Sequence, residues 1–172
     1  MSRHTISVLV ANKPGVLARI SGMFSRRGFN IDSLAVGRTD DPEVSRMTIV
    51  VDQAASPEQV VKQLNKLIHV LKIVEHEPGS AVERELLLVK VRAEPAIRFQ
   101  VIELADVYEA KIVDVTQDTL TIQAAGSPPK ISSLLELLAP YGIKELARTG
   151  CIALGRGNRA ISERQVRAVR PA

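Results

Sequence analysis

Hydrophobic and polar positions along the chain fall into short alternating and helically spaced runs. Residues 4–11 read as a strand, and the turn Asn12-Lys13-Pro14-Gly15 leads into an amphipathic segment with Val16, Leu17, Ile20, Met23 and Phe24 at helical spacing. Arg26-Arg27-Gly28 ends that helix with cations and then a glycine. Asn30-Ile31-Asp32-Ser33-Leu34-Ala35-Val36 alternates like a half-buried strand, and Thr39-Asp40-Asp41-Pro42 turns the chain toward a second strand at residues 46–52. These two strands make a hairpin. Ser56-Pro57-Glu58-Gln59 supplies an N-cap serine, a proline at the first helical position and a capping-box glutamine. Val60, Val61, Leu64, Leu67 and Ile68 form the buried stripe that follows, and a strand at about residues 70–75 completes the order βαββαβ.

After Glu77-Pro78-Gly79-Ser80, a linker by composition, the same order begins again with Glu85-Leu86-Leu87-Leu88-Val89-Lys90-Val91. Pro95 opens a helix with Ile97, Val101, Leu104 and Tyr108 on one face, two strands follow at residues 111–116 and 120–124, and Ser127-Pro128-Pro129 starts a helix carrying Ile131, Leu134, Leu135 and Leu138. Residues 143–154 close the pattern as a strand bent at Gly150. The fold class is therefore α+β, two ferredoxin-like βαββαβ units in tandem. The expected division is a first domain at 1–77, a linker at 78–84, a second domain at 85–155 and a tail at 156–172. Strands such as Ser7-Val8-Leu9-Val10 and Met47-Thr48-Ile49-Val50-Val51 are apolar on both sides, so a second copy is expected to cover the open sheet face or edge.

Composition narrows the class. The chain has 172 residues, 45% hydrophobic and 24% charged, with a single cysteine, which cannot form an internal disulfide. No basic-then-apolar leader precedes the first strand, and no apolar run approaches the ~20 residues of a membrane span. A reduced, cytoplasmic setting is expected, with no membrane partner. The net charge of +4 is not spread evenly: residues 1–154 hold 18 Lys/Arg against 18 Asp/Glu, while the tail carries Arg156, Arg159, Arg164, Arg167 and Arg170 against Glu163. Such an end is more often a solvated or partner-binding terminus than a sequence reader, so nucleic-acid binding is the minority reading.

Catalysis finds little support. His4, His69 and His76 lack a metal-ligand spacing, Cys151 sits among apolar neighbours, and no GxSxG, Walker A or GxGxxG pattern is present. No metal is expected. The turn Asn12-Lys13-Pro14-Gly15 differs: it sets an amide side chain and unpaired backbone N–H groups at the positive end of a helix, which suits a small carboxylate. Asn30, at the start of the following strand, is expected to bring a second amide toward that end of the sheet. Asn and Gly are also common in ordinary turns. What distinguishes these is that the second unit has Ala93-Glu94-Pro95-Ala96 and Ala110 in the corresponding places, keeping the architecture and losing the amides and the glycine.

With that pattern, the chain resembles the small, regulatory subunits of acetolactate synthase (acetohydroxyacid synthase). The resemblance rests on residues 7–17, on Phe24-Ser25-Arg26-Arg27-Gly28-Phe29-Asn30-Ile31-Asp32-Ser33-Leu34, on Ser45-Arg46-Met47-Thr48-Ile49-Val50, on Lys62-Gln63-Leu64-Asn65-Lys66-Leu67, on Arg84-Glu85-Leu86 and on residues 150–156. It covers nearly the whole chain. Members often carry Glu where this chain has Ala11 and Asp32. The resemblance implies that the first unit is an ACT domain that pairs with its twin and binds an inhibitor, usually valine, between subunits, through Asn12, Lys13, Pro14, Gly15, Val16, Leu17, Asn30 and Ile31. It implies that the second unit helps to engage the catalytic large subunit, and that thiamine diphosphate, Mg²⁺ and FAD belong to that partner, with no cofactor in this chain. Alone the chain would be inactive, acting by feedback inhibition and activation in branched-chain amino-acid biosynthesis. The alternative is a free-standing ACT-type amino-acid sensor acting on another enzyme or on nucleic acid, which would need a reading element such as a helix-turn-helix, and none is visible.

Overall fold

Strict alternation along β1 (His4–Ala11) sends Ile6, Val8 and Val10 to one side of a sheet and Ser7 and Leu9 to the other, and all five are buried. The computed structural model describes residues 3–52, 56–158, 160 and 161. After β1 come α1 (Val16–Arg26), β2 (Ile31–Arg38), β3 (Val44–Val51), α2 (Pro57–Leu64) and β4 (Val70–His76). The second half repeats the order with β5 (Ala81–Arg92), α3 (Arg98–Val107), β6 (Lys111–Val115), β7 (Thr119–Gly126), α4 (Pro128–Leu138) and β8 (Ile143–Arg148), followed by β9 (Ile152–Gly155). The fold is α+β with antiparallel sheets, as the periodicity predicts.

The chain divides into two compact units, one formed by residues up to Val82 together with those from Cys151 onward, the other by Glu83–Gly150. Both boundaries differ from the expected ones. Strand β5 already begins at Ala81, within the expected linker, and the last strand breaks at Thr149-Gly150-Cys151, beyond which β9 groups with the first unit while pairing with β5.

In the first unit the strand order is β2-β3-β1-β4. Ile6, Val8, Val10, Met47, Ile49 and Val51 pack against Val16, Ile20, Met23 and Phe24 of α1 and Val60 and Leu64 of α2. Helix α1 closes with the Phe29 N–H on the Phe24 carbonyl and the Gly28 N–H on the Ser25 carbonyl, and the two phenyl rings meet edge to face with centroids 6.1 Å apart. Two expectations fail here. Leu17 is 46% exposed, on the solvent side of α1. Helix α2 stops at Leu64, so the 3.6-residue period no longer holds beyond it, and Ile68 is 75% exposed while Leu67 stays against the core. Ser56 does occupy the N-cap, but its side chain makes no capping bond.

The apolar strand pattern calls for cover on the open face or edge of the first sheet. Within one chain, Ser7, Leu9, Thr48 and Val50 are already buried. The segment after Gly150 lies on this face: the Cys151 N–H donates to Ser33 Oγ and the Arg46 guanidinium donates to the Ala153 carbonyl.

The second unit has the order β6-β7-β5-β8, its core built from Leu87, Val89, Val91, Leu120 and Ile122 against Val101, Ile131, Leu134 and Leu138. Buried Glu85 is held by Arg148, whose Nε and Nη2 donate to its two carboxylate oxygens at 2.7 and 2.6 Å. At the surface, the Lys130 ammonium beside Glu109 holds that carboxyl below its ordinary range. Pro95 does not open α3; residues 94–97 form a turn, and the helix starts at Arg98.

Candidate functional site

Strand β1 ends in a turn held from two sides. The Ala11 N–H donates to the His69 carbonyl, while the Asn12 N–H donates to the Glu43 carbonyl at 2.7 Å and Asn12 Nδ2 to the Pro42 carbonyl at 2.8 Å. The β2–β3 turn thus fixes the amide of Asn12, and with one Nδ2 hydrogen given to Pro42 its side-chain oxygen is oriented to accept from a ligand's ammonium. Gly15 is the N-cap of α1 with φ +80°, and the helix begins without a side-chain cap and without an acidic residue in its first turn. Its first-turn amides lack partners within the helix, and the backbone dipole leaves positive charge there. A Cβ at Gly15 would meet nothing within 4 Å, so glycine is required by the backbone angle and not by crowding. Lys13, Pro14, Gly15 and Leu17 are exposed and Val16 is buried. The result is an open, cationic helix terminus beside an oriented amide, chemistry suited to the carboxylate and ammonium of an amino acid.

Asn30 and Ile31 lie elsewhere. Ile31 and His4 both pair with Val51, whereas Ala11 pairs with Val44, so Asn30 and the Asn12 turn flank opposite ends of the sheet. Seven steps along β1 at about 3.3 Å each separate them by more than 20 Å. The expectation that Asn30 reaches toward the Asn12 end within one chain is corrected: β2 runs antiparallel to β3, and the side strand that starts at Ile31 begins at the far end.

The equivalent turn of the second unit is held differently. The Arg98 guanidinium donates to the carbonyls of Ala93, Thr116 and Gln117. Arg98 thus ties the end of β5 to the β6–β7 turn, as Asn12 ties the end of β1 to the β2–β3 turn, a feature the bare comparison of turn residues misses because Arg98 lies beyond the turn. The roles of Pro42 and Glu43 are likewise invisible in sequence, since they act through carbonyls some thirty residues from Asn12.

A pocket of about 100 Å³ opens beside α1, lined by Val16, Arg19, Ile20 and residues 66–70. His69 is among its walls, His76 Nε2 lies 2.9 Å from Ser7 Oγ, and His4 faces Glu75. Among the described residues no group of His, Cys, Asp and Glu could hold a metal ion, and no helix is long and apolar enough to cross a membrane. Of the five tail arginines only Arg156 is described, its N–H and Nε donating to the Ser80 and Gly79 carbonyls; Arg159, Arg164, Arg167 and Arg170 lie outside the described residues.

Comparison with known proteins agrees with this architecture. A family model described as an AHAS small subunit-like ACT domain matches residues 6–72, and one described as the small subunit of acetolactate synthase matches residues 84–157. An acetolactate synthase small subunit of Mycolicibacterium smegmatis is 57% identical over 159 residues, covering 92% of this chain and 94% of that protein. A probable acetolactate synthase small subunit of Archaeoglobus fulgidus is 53% identical over 158 residues, 91% of this chain and 99% of the other. The crystal structure of the acetolactate synthase small subunit from Thermotoga maritima matches with a TM-score of 0.83 at 36% identity, covering 92% of this chain and 100% of that one. With both halves matched in order and nearly full-length relatives above half identity, the chain belongs to the family of acetolactate synthase small subunits, the non-catalytic regulatory subunits of that enzyme.

Proposed function

We propose that the chain activates the catalytic subunit of an acetolactate synthase and makes it sensitive to valine, which binds between the ACT units of two copies. The observation that carries this reading is the start of α1, opened by Gly15 at φ +80° beside an oriented Asn12; α3 also lacks a side-chain cap but has neither the glycine nor the amide. Lys13, Pro14, Val16 and Leu17 complete that half of the site, the exposed Leu17 side chain being available to an apolar ligand. Asn30 and Ile31 complete the other half from the partner copy, because one chain sets them at the wrong end of its own sheet. Exposed Val36 on the edge strand β2 supports edge-on pairing of two copies.

On this reading the first unit senses and dimerises, the second engages the catalytic subunit in the cytoplasm, and thiamine diphosphate, Mg²⁺ and FAD stay with that partner. Regulation is a coupling free energy, typically 1–3 kcal/mol between effector site and catalytic subunit. The test is an acetolactate assay of the purified catalytic subunit with and without this chain and with and without valine. Higher activity on adding the chain, reversed by valine, supports the reading; unchanged activity or valine-insensitive activation counts against it.

A further inference from the structure

The segment that returns to the first unit is tied to the sheet by side chains of β2 and β3. The Cys151 N–H donates to Ser33 Oγ at 2.7 Å, and Arg46 Nη2 donates to the Ala153 carbonyl at 2.8 Å and to Ser7 Oγ at 3.2 Å. Cys151 and Ala153 are buried. Just before them Gly150 has φ +81°, the left-handed turn by which the chain leaves β8 and enters this segment.

Ser33 has a particular address. The pairing of β2 with β3 slips between Ile31 and Ser33, so a bulge separates the proposed effector residues Asn30 and Ile31 from the hydroxyl that holds Cys151. Bulges leave a residue unpaired, interrupt the ladder locally and re-aim neighbouring side chains. A ligand that draws on the start of β2 therefore acts two residues from the contact that fixes the returning segment. That segment is covalently continuous, through Gly150, with β8 of the second unit.

We propose that residues 151–155 form a strap that transmits effector occupancy from the first sheet to the second unit, with Ser33 and Arg46 as the residues that position it. Within the strap β9 pairs with β5. The strap has two states, with Cys151 and Ala153 bonded to Ser33 and Arg46 or detached from them while β9 stays on β5, and valine shifts the balance to the extent that it binds one of them better. The proposal rests on the effector reading above and adds to it the route by which binding becomes inhibition.

The test uses the holoenzyme reconstituted from the catalytic subunit and the full chain, as wild type, Ser33→Ala, Ser33→Thr and Arg46→Gln. Three quantities are read: valine affinity of the chain by calorimetry, the valine concentration that half-inhibits the holoenzyme, and amide hydrogen exchange at residues 151–155 with and without valine. Valine is expected to change exchange at these residues in wild type and not in Ser33→Ala. Ser33→Ala is expected to bind valine within about twofold of wild type while its half-inhibiting concentration rises about fivefold or more, the lower end of ordinary coupling, and Ser33→Thr is expected to restore both. Arg46→Gln carries the same test should Ser33→Ala not fold. The strap is overturned if inhibition moves only in step with affinity, if it does not move at all, or if exchange at 151–155 in an inhibited wild-type holoenzyme ignores valine. A wild-type chain that binds no valine overturns the effector reading, and the strap with it.

Discussion

Asn12 Nδ2 donates to the carbonyl of Pro42 at 2.8 Å, joining the end of β1 to the β2–β3 turn across 30 residues of sequence. The same bond orients the amide oxygen of Asn12, so structure and proposed binding share one side chain. Asn12→Ala is expected to weaken valine binding by about 1–3 kcal/mol through the group left unpaired and to lower unfolding stability by about 1 kcal/mol. Asn30→Ala is expected to weaken binding with little effect on stability, because Asn30 is exposed at the start of β2. Calorimetry and thermal unfolding of the two variants check the split.

Gly15 sits at φ +80° with open space where a Cβ would stand. Gly15→Ala is expected to cost about 1–2 kcal/mol of stability from the backbone angle alone and to reduce valine inhibition partially. Gly15→Asp adds a carboxylate at the helix terminus that the ligand's own carboxylate needs, and is expected to abolish inhibition. The ratio of holoenzyme activity without and with saturating valine measures both. A Gly15→Asp holoenzyme inhibited like wild type would place the site elsewhere.

Glu85 is buried with its carboxylate clamped by Arg148. Removing the cation leaves a buried charge with its strongest partner gone, so Arg148→Ala is expected to destabilise the second unit by about 3 kcal/mol. Glu85→Gln, which keeps the shape and removes the charge, is expected to cost less. Urea unfolding followed by a probe placed in residues 83–150 gives the values.

Five tail arginines against one glutamate follow a charge-balanced body. Attraction of that kind acts mainly on association rate and fades as salt screens it. Deleting residues 158–172 is expected to slow holoenzyme assembly at low ionic strength and to leave valine affinity unaltered. Activation curves of full-length and truncated chains that superimpose at both low and high salt would remove the tail from assembly.

Much of this architecture is legible in sequence because local periodicity and burial agree. Residues 4–11 alternate and form β1 at those bounds, and Ile131, Leu134 and Leu138 recur at helical spacing and line α4. Legibility fails where tertiary contacts decide. Ile68 continues an apolar pattern after α2 has ended, and nothing local says that the helix stops at Leu64. Residues after Gly150 read as one strand with β8, yet a left-handed turn at Gly150 breaks the strand, and beyond it β9 pairs with β5 while Ser33 and Arg46 hold Cys151 and Ala153. The Asn12 turn is visible in its residue types, whereas the far placement of Asn30 follows from strand order, which puts β3 between β2 and β1 and so makes β2 run parallel to β1, starting at the end away from Asn12. Arg98 is hidden for a similar reason: its partners are backbone carbonyls contributed by a distant loop.

The most direct measurement is a valine titration of Asn12→Ala and Asn30→Ala chains, each alone and then mixed and allowed to exchange partners. A site shared between two copies requires that a mixed dimer contain one site with both substitutions and one with neither. Calorimetry is therefore expected to show wild-type-affinity binding in the mixture that neither variant shows alone. A mixture that binds no better than its components, or a chain that sediments as a monomer with valine present, would contradict a valine site completed by a second copy.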